Sequence, residues 1–177
     1  DIPRYTMGFL VVLAREVLRP VRLNAPGDFA PLVSVILAGH NERHAVARCV
    51  RSLREQSYPH IEIICVDDGS TDGMMRELTR LRGERLIDAA VATSVRSGKS
   101  AAGNLGLSLA KGEVVLITDC DCSFDRDAVA RLLAPLADPA VAVVTGNIAV
   151  RNADDNLLTG LQAVEYLVGI CLGRRML

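Results

Sequence analysis

The feature that most constrains this chain is an alternation. Short, unbroken apolar runs are followed by stretches in which apolar residues return at i, i+3, i+4 and i+7. The runs cover residues 32–37 (LVSVIL), 62–66 (EIICV), 114–118 (VVLIT) and 141–144 (VAVV), with 86–92 as a weaker fifth. Continuous rather than alternating hydrophobicity suits strands buried on both faces. Between them, Val46, Cys49, Val50 and Leu53 make one helical stripe, and Val129, Leu132, Leu133 and Leu136 make another. Met74, Met75 and Leu78 repeat the pattern behind a Ser70, Thr71, Asp72 start signal, and a further helix is predicted over residues 98–110, stopped at Gly112. Strand and helix in turn imply βαβ crossovers and therefore an α/β fold: a mainly parallel sheet with flanking helices. Composition agrees, because half the residues are hydrophobic while aromatics are 3% and Trp is absent, so the core is aliphatic.

Three segments follow from changes of character. Residues 1–31 read as an N-terminal helix and linker. The apolar YTMGFLVVLA is too short to span a bilayer, which needs about 20 residues. With Arg15, Arg19 and Arg22 behind it, it also reads as the end of a transmembrane segment begun upstream. Residues 32–150 form the α/β domain. Residues 151–177 carry Leu157, Leu161, Val164, Val168 and Cys171 on one helical face with Gln162 and Glu165 between them, an amphipathic extension that docks on the domain or lies at a membrane surface. A formal charge of -1 gives no global electrostatic case for nucleic-acid binding, which usually shows as a strongly basic stripe. Five scattered cysteines, without a disulfide rhythm, indicate a reducing compartment.

In an open parallel sheet, ligands bind beyond the carboxyl ends of the strands. Here those ends read AGHNE, DDGSTD and TDCDCS, which gathers Glu42, Asp67, Asp68, Asp119 and Asp121 along one edge. Two carboxylates about 6 Å apart repel by roughly 2 to 3 kcal/mol at an effective dielectric of 20, so a cation or a donor-rich ligand is expected among them. Asp119 and Asp121, two apart in extended chain, project to one side, and Cys120 and Cys122 to the other. Hard oxygen ligands suit Mg²⁺ or Mn²⁺ bridging to phosphate, whereas a zinc site would ask for more Cys and His than this stretch offers. Arg96 and Lys99 stand beside a helix N-terminus that favours anions. Gly98-Lys99-Ser100 imitates the end of a Walker A loop, but Thr93 stands where that motif requires Gly. Taken singly, each block also reads as a turn, a helix cap or a surface loop. Their joint placement at strand ends gives them functional weight.

VSVILAGHNE, DDGSTDG, GKSAAGNLGLSLAKGE, the strand closing on Asp-x-Asp, and GNIAVRN followed by LLTGLQAVEYLVGICLGRR resemble, in that order, the family 2 glycosyltransferases. Nearest in likeness are the membrane-embedded processive synthases of hyaluronan, chitin, cellulose and poly-N-acetylglucosamine. The resemblance implies a GT-A-type (Rossmann-like) nucleotide-sugar-binding fold, incomplete at its C-terminus, and a UDP-sugar donor. It implies that Glu42 and Asp67 or Asp68 hold the nucleoside with His40 beside the base, that Lys99 meets the diphosphate, that Asp119 contacts ribose or diphosphate, and that Asp121, with Asp119, ligates Mg²⁺ or Mn²⁺. It further implies inverting, metal-dependent transfer to a polysaccharide or lipid-linked acceptor at the cytoplasmic face of the inner membrane. The chain departs from the family in reading Ala38-Gly39-His40-Asn41-Glu42 where members have a PxYNE-like block. The later acidic motif that supplies the general base and the QxxRW motif of processive members do not occur, so no catalytic base is assigned and the fragment by itself is expected to be inactive. A noncatalytic nucleotide-sugar-binding module, and a nonprocessive enzyme acting on a lipid carrier, are the alternatives.

Overall fold

A computed structural model describes residues 29–172, with side chains to residue 169. Nearly all of the expected N-terminal helix and linker, and the Gly173-Arg174-Arg175 end, lie outside the described residues. The fold divides near residue 142, and the α/β unit that precedes this point is described first.

Strand β1 (Val33–Gly39) is buried through Ala38, and β2 (Ile61–Asp67) is buried throughout. They pair in parallel from Val33↔Ile61 to Gly39↔Asp67. β3 (Ala89–Ala92) pairs with the outer side of β2, and β4 (Val114–Asp119) with the other side of β1, giving the order β3-β2-β1-β4 with every pairing parallel. The apolar runs at 32–37 and 62–66 became the two central strands, since only a strand flanked on both edges and covered on both faces buries every side chain.

Helices α1 (Arg43–Arg54) and α2 (Met74–Gly83) cover one face. They bury Val46, Cys49, Val50 and Leu53, and Met74, Leu78 and Leu81, against Val33, Val35, Leu37, Ile61, Ile63 and Cys65. Each fully buried aliphatic side chain there contributes about 1.5–3 kcal/mol of transfer free energy. α4 (Ala128–Leu136) adds Val129 and Leu133 to the same core. α3 (Lys99–Leu109) crosses the opposite face over β1 and β2, where Ala102 meets Ala38 and Val66. Gly106 makes this approach possible: a β-carbon there would sit 2.4 Å from Ile36 Cγ2.

Two expectations change. β4 was expected to be buried on both faces, yet it alternates, leaving Val115 and Ile117 37% and 52% exposed, because α3 sits over β1 and β2 rather than over this strand. The run 141–144 forms no strand: residues 141–150 are irregular and Val143 is 84% exposed. β-branched residues favour extended chain only where a neighbouring strand pairs with them, and among the described residues nothing pairs with this run.

Beyond residue 142, α5 (Leu157–Tyr166) opens with a capping box in which Asn156 Oδ1 accepts from Thr159 N, and Thr159 Oγ1 accepts from Asn156 N. It continues as a π-helical turn over Leu167–Leu172. The expected apolar face is helical here, and Leu157, Leu161, Val164 and Val168 are solvent-exposed. Among the described residues no helix is long and apolar enough to cross a membrane.

Candidate active site

The chain builds β1, β2 and β3 to one side and then returns across β1 to lay down β4, so the strand order reverses between β1 and β4. That switch point is where a parallel sheet opens a crevice at its carboxyl edge. A hollow of about 260 Å³ lies there, lined by Ala38, Gly39, His40 and Glu42 after β1, Asp68 after β2, Arg96, Gly98, Lys99 and Ala102 at the head of α3, and Asp119, Cys120 and Asp121 at the end of β4.

Of the residues singled out in the sequence, His40, Glu42, Asp68, Lys99, Asp119 and Asp121 all line the hollow, and Asp67 does not. Asp67 is 3% exposed and closes the DDGSTDG turn, its Oδ1 accepting from Ser70 N at 2.9 Å. Asp72 finishes the same turn: Oδ1 accepts from Met74 N and Oδ2 from Arg43 N, so one carboxylate serves the starts of α2 and α1.

Asp68 faces the hollow, but its carboxylate is committed to the loop ahead of α3. Oδ1 accepts from Ser97 N at 2.7 Å and Thr93 Oγ1 at 3.1 Å, and Oδ2 accepts from Gly98 N at 2.8 Å. These bonds, the one from Ser97 foremost, hold its pKa below the ordinary carboxylate value. Asp68 therefore sets the position of the segment that carries Arg96 and Lys99. Gly69 complements it: at φ 68°, a β-carbon would lie 2.6 Å from Arg96 N and 2.7 Å from Val95 C.

His40 Nδ1 lies 2.8 Å from the Asp68 carbonyl oxygen, which can only accept, so Nδ1 carries the hydrogen. Nε2 then accepts from Asn41 Nδ2 at 3.2 Å. With both nitrogens occupied, the ring offers a ligand its flat face. Asn41, at φ 61°, is itself fixed by Ser70 Oγ on its backbone N–H and by Thr71 N on its side-chain oxygen.

At the far wall Lys99 Nζ donates to Asp119 Oδ1 at 2.6 Å, with both side chains more than half exposed. The expected carboxylate repulsion is thus partly met by the protein: Asp68 is satisfied by backbone N–H groups and Asp119 by Lys99. Asp121 is exposed and makes no hydrogen bond or ion pair among the described residues. Those residues contain no group of three or more acidic, His or Cys side chains arranged to hold a metal. Asp119 and Asp121 fit a hard cation that takes one or two carboxylates and completes its shell with phosphate oxygens and water, the habit of Mg²⁺ and Mn²⁺.

The thiols turn away from the carboxylates. Cys120 is 1% exposed in the core beneath the hollow, so close to Gly39 that a β-carbon there would meet its sulfur at 2.8 Å. Cys122 is half-buried. The neighbouring Cys49 thiol, then the hydrogen bond with the Thr118 hydroxyl, lowers its pKa to about 6, while the neighbouring Cys122 and then burial push Cys49 upwards.

This crevice, on a parallel sheet with a central switch point, defines a nucleotide-binding α/β domain of the GT-A kind, and comparison with known proteins narrows the class. The family model for glycosyl transferase family 2 matches residues 34–172, and the chain belongs to that family. It is 31% identical over 138 residues to a poly-beta-1,6-N-acetyl-D-glucosamine synthase of Staphylococcus epidermidis, covering 76% of this chain and 32% of that one. It is 29% identical over 144 residues to a beta-monoglucosyldiacylglycerol synthase of Nostoc, covering 79% and 31%. Among solved structures it is similar to the mannosyltransferase PcManGT from Pyrobaculum calidifontis in complex with GDP-Man and Mn²⁺, with a TM-score of 0.65, 31% identity, and coverage of 76% of this chain and 41% of that one. The chain spans about a third of the length of these curated relatives.

Proposed function

We propose that this chain is the donor-binding part of an inverting, metal-dependent glycosyltransferase that passes a sugar from a UDP-sugar to a growing polysaccharide at the cytoplasmic face of the inner membrane. The observation that carries the reading is the convergence of His40, Glu42, Lys99, Asp119 and Asp121 on one hollow at the switch point of the sheet. The mannosyltransferase, with its GDP-Man and Mn²⁺, supports a nucleotide-sugar donor and a divalent ion. The poly-N-acetylglucosamine synthase supports a polysaccharide product. The lipid glucosylating relative favours a second reading, transfer to a lipid-linked acceptor.

The pinned ring of His40 provides a flat wall for the base, and Glu42 beside it offers a carboxylate to nucleoside donors. Lys99 and Arg96 supply positive charge, and the N-terminus of α3 supplies free backbone N–H groups, where a diphosphate would lie. To reach the diphosphate Lys99 leaves Asp119, which frees that carboxylate to join Asp121 as a metal ligand. The ion, when bound, neutralises charge developing on the departing nucleoside diphosphate. Calorimetric titration with UDP, with and without Mn²⁺, tests the reading. Binding is expected to require the metal, to prefer UDP to GDP and ATP, and to lose its metal dependence in Asp121→Asn. Metal-independent binding, or a preference for ATP, refutes it.

A further inference from the structure

Two thiols converge on one backbone oxygen behind the Asp119–Asp121 turn. Cys49, on the inner face of α1, aims its sulfur at the Asp119 carbonyl oxygen at 3.7 Å. Cys122, just past the turn, aims at the same oxygen from 3.1 Å. The two sulfurs thus share one acceptor, and both are free thiols. We propose that Cys49 and Cys122 are an oxidative modification site: hydrogen peroxide joins them in a reversible disulfide, and the bond draws the Asp119–Asp121 turn out of its donor-binding shape.

The order of events follows from access. Cys49 and Cys65 are fully buried and Cys120 nearly so, whereas Cys122 is half-buried at the end of an exposed turn, and oxidants reach exposed thiols first. The Cys122 sulfur attacks one peroxide oxygen, the O–O bond breaks, and the products are a Cys122 sulfenic acid and one water. The Cys49 sulfur then attacks the sulfenic sulfur, the S–O bond breaks, and the departing hydroxyl leaves with the Cys49 proton as a second water. The two thiols together lose two electrons and two protons, and the hydrogen peroxide is reduced to two waters. Cys49 completes the bridge because its sulfur, like that of Cys122, sits on the Asp119 carbonyl oxygen.

Closing the sulfurs to about 2 Å requires movement. α1 resists it, since Val46, Val50 and Leu53 are locked in the core on either side of Cys49. The turn yields instead, since Asp121 is exposed and makes no hydrogen bond or ion pair among the described residues. The Asp119 carbonyl also loses both S–H donors, at the residue whose side chain meets Lys99.

The bridge is read directly; its effect on UDP rests on the function proposed above. The reduced chain is treated with hydrogen peroxide and digested with trypsin without reductant. The expected product joins the peptide bearing Cys49 to that bearing Cys122, with fragmentation placing the bond on Cys122 rather than Cys120, and dithiothreitol reverses it. Amide exchange over residues 119–122 should quicken about tenfold, and UDP affinity with Mn²⁺ should fall about tenfold, a change of about 1.4 kcal/mol. Cys122→Ser, at a half-buried position, should bind UDP normally and ignore peroxide. Free Cys49 and Cys122 after treatment, or a bridge to Cys120 or Cys65, overturns the proposal, as does a bridge that leaves exchange over 119–122 unchanged. Should the reduced chain not bind UDP at all, the donor reading fails while the bridge and the exchange still decide this one.

Discussion

Gly69 and Gly73 allow the site's architecture to be tested by a matched pair of substitutions. Both have positive φ, 68° and 85°, so alanine at either carries the left-handed penalty of about 1–2 kcal/mol. Their surroundings differ. At Gly73 the nearest atoms to a β-carbon are the flexible Arg43 side chain at 3.9 and 4.0 Å. At Gly69 they are backbone atoms, Arg96 N at 2.6 Å and Val95 C at 2.7 Å, which cannot rotate aside. The segment they belong to is tied by Ser97 N and Gly98 N to Asp68. Overpacking of this kind costs about 1–3 kcal/mol more. Gly73→Ala should therefore lower stability by about 1–2 kcal/mol, and Gly69→Ala by about 2–5 kcal/mol. At roughly 2–4 °C per kcal/mol for a chain of this size, the melting temperatures should fall by roughly 2–8 °C and 4–20 °C. The clash also pushes the loop carrying Arg96 and Lys99, so Gly69→Ala should weaken UDP binding about tenfold while Gly73→Ala leaves it unchanged, since misplacing a binding group by about 1 Å is costly. Scanning calorimetry and isothermal titration read both effects. Equal destabilisation, or unaltered UDP binding by Gly69→Ala, would falsify the claim that the 95–98 loop is seated on the Asp68-Gly69 turn.

Lys99→Ala removes an ion pair exposed on both sides, so it should cost less than about 1 kcal/mol in chemical denaturation yet weaken diphosphate binding clearly more than nucleoside binding; equal losses for both ligands would point to a general disturbance. Gly106→Ala should destabilise by thermal melting, because its β-carbon would strike Ile36, whereas Gly103→Ala, in the same helix with open space in that direction, should stabilise by up to about 1 kcal/mol. The Asp68 carboxyl is held below its ordinary value in the fold, so its contribution is complete above the unfolded pKa and is lost as pH falls through the depressed folded one. In Asp68→Asn, denaturation midpoints below about pH 4 should therefore vary less steeply with pH than in the unaltered chain, and identical slopes would remove Asp68 from that role.

How far the sequence discloses this architecture depends on what its pattern encodes. Aliphatic runs report burial, so the two central strands and the stripes of α1 and α2 were legible to within two or three residues. The same signal at 141–144 misleads, because four apolar residues carry no information about whether a strand is waiting to pair with them. The strand ends announced an acidic edge but not how its repulsion is relieved. Asp68 is satisfied chiefly by the backbone N–H groups of Ser97 and Gly98, which leave no mark on residue type. The choice between Asp67 and Asp68 was nevertheless open to reasoning by strand parity. Ile61, Ile63 and Cys65 point to the α1 and α2 side, and Asp67 shares their parity; Val66 points to α3, and Asp68 continues that row. In β4 the same rule sends Cys120 into the core and Asp119 to the α3 side, where Ala38↔Asp119 register sets it across from Lys99. The hollow at the head of α3 can draw only on strand-end carboxylates of that parity, and so Asp68 and Asp119 reach it while Asp67, one residue away, closes a turn.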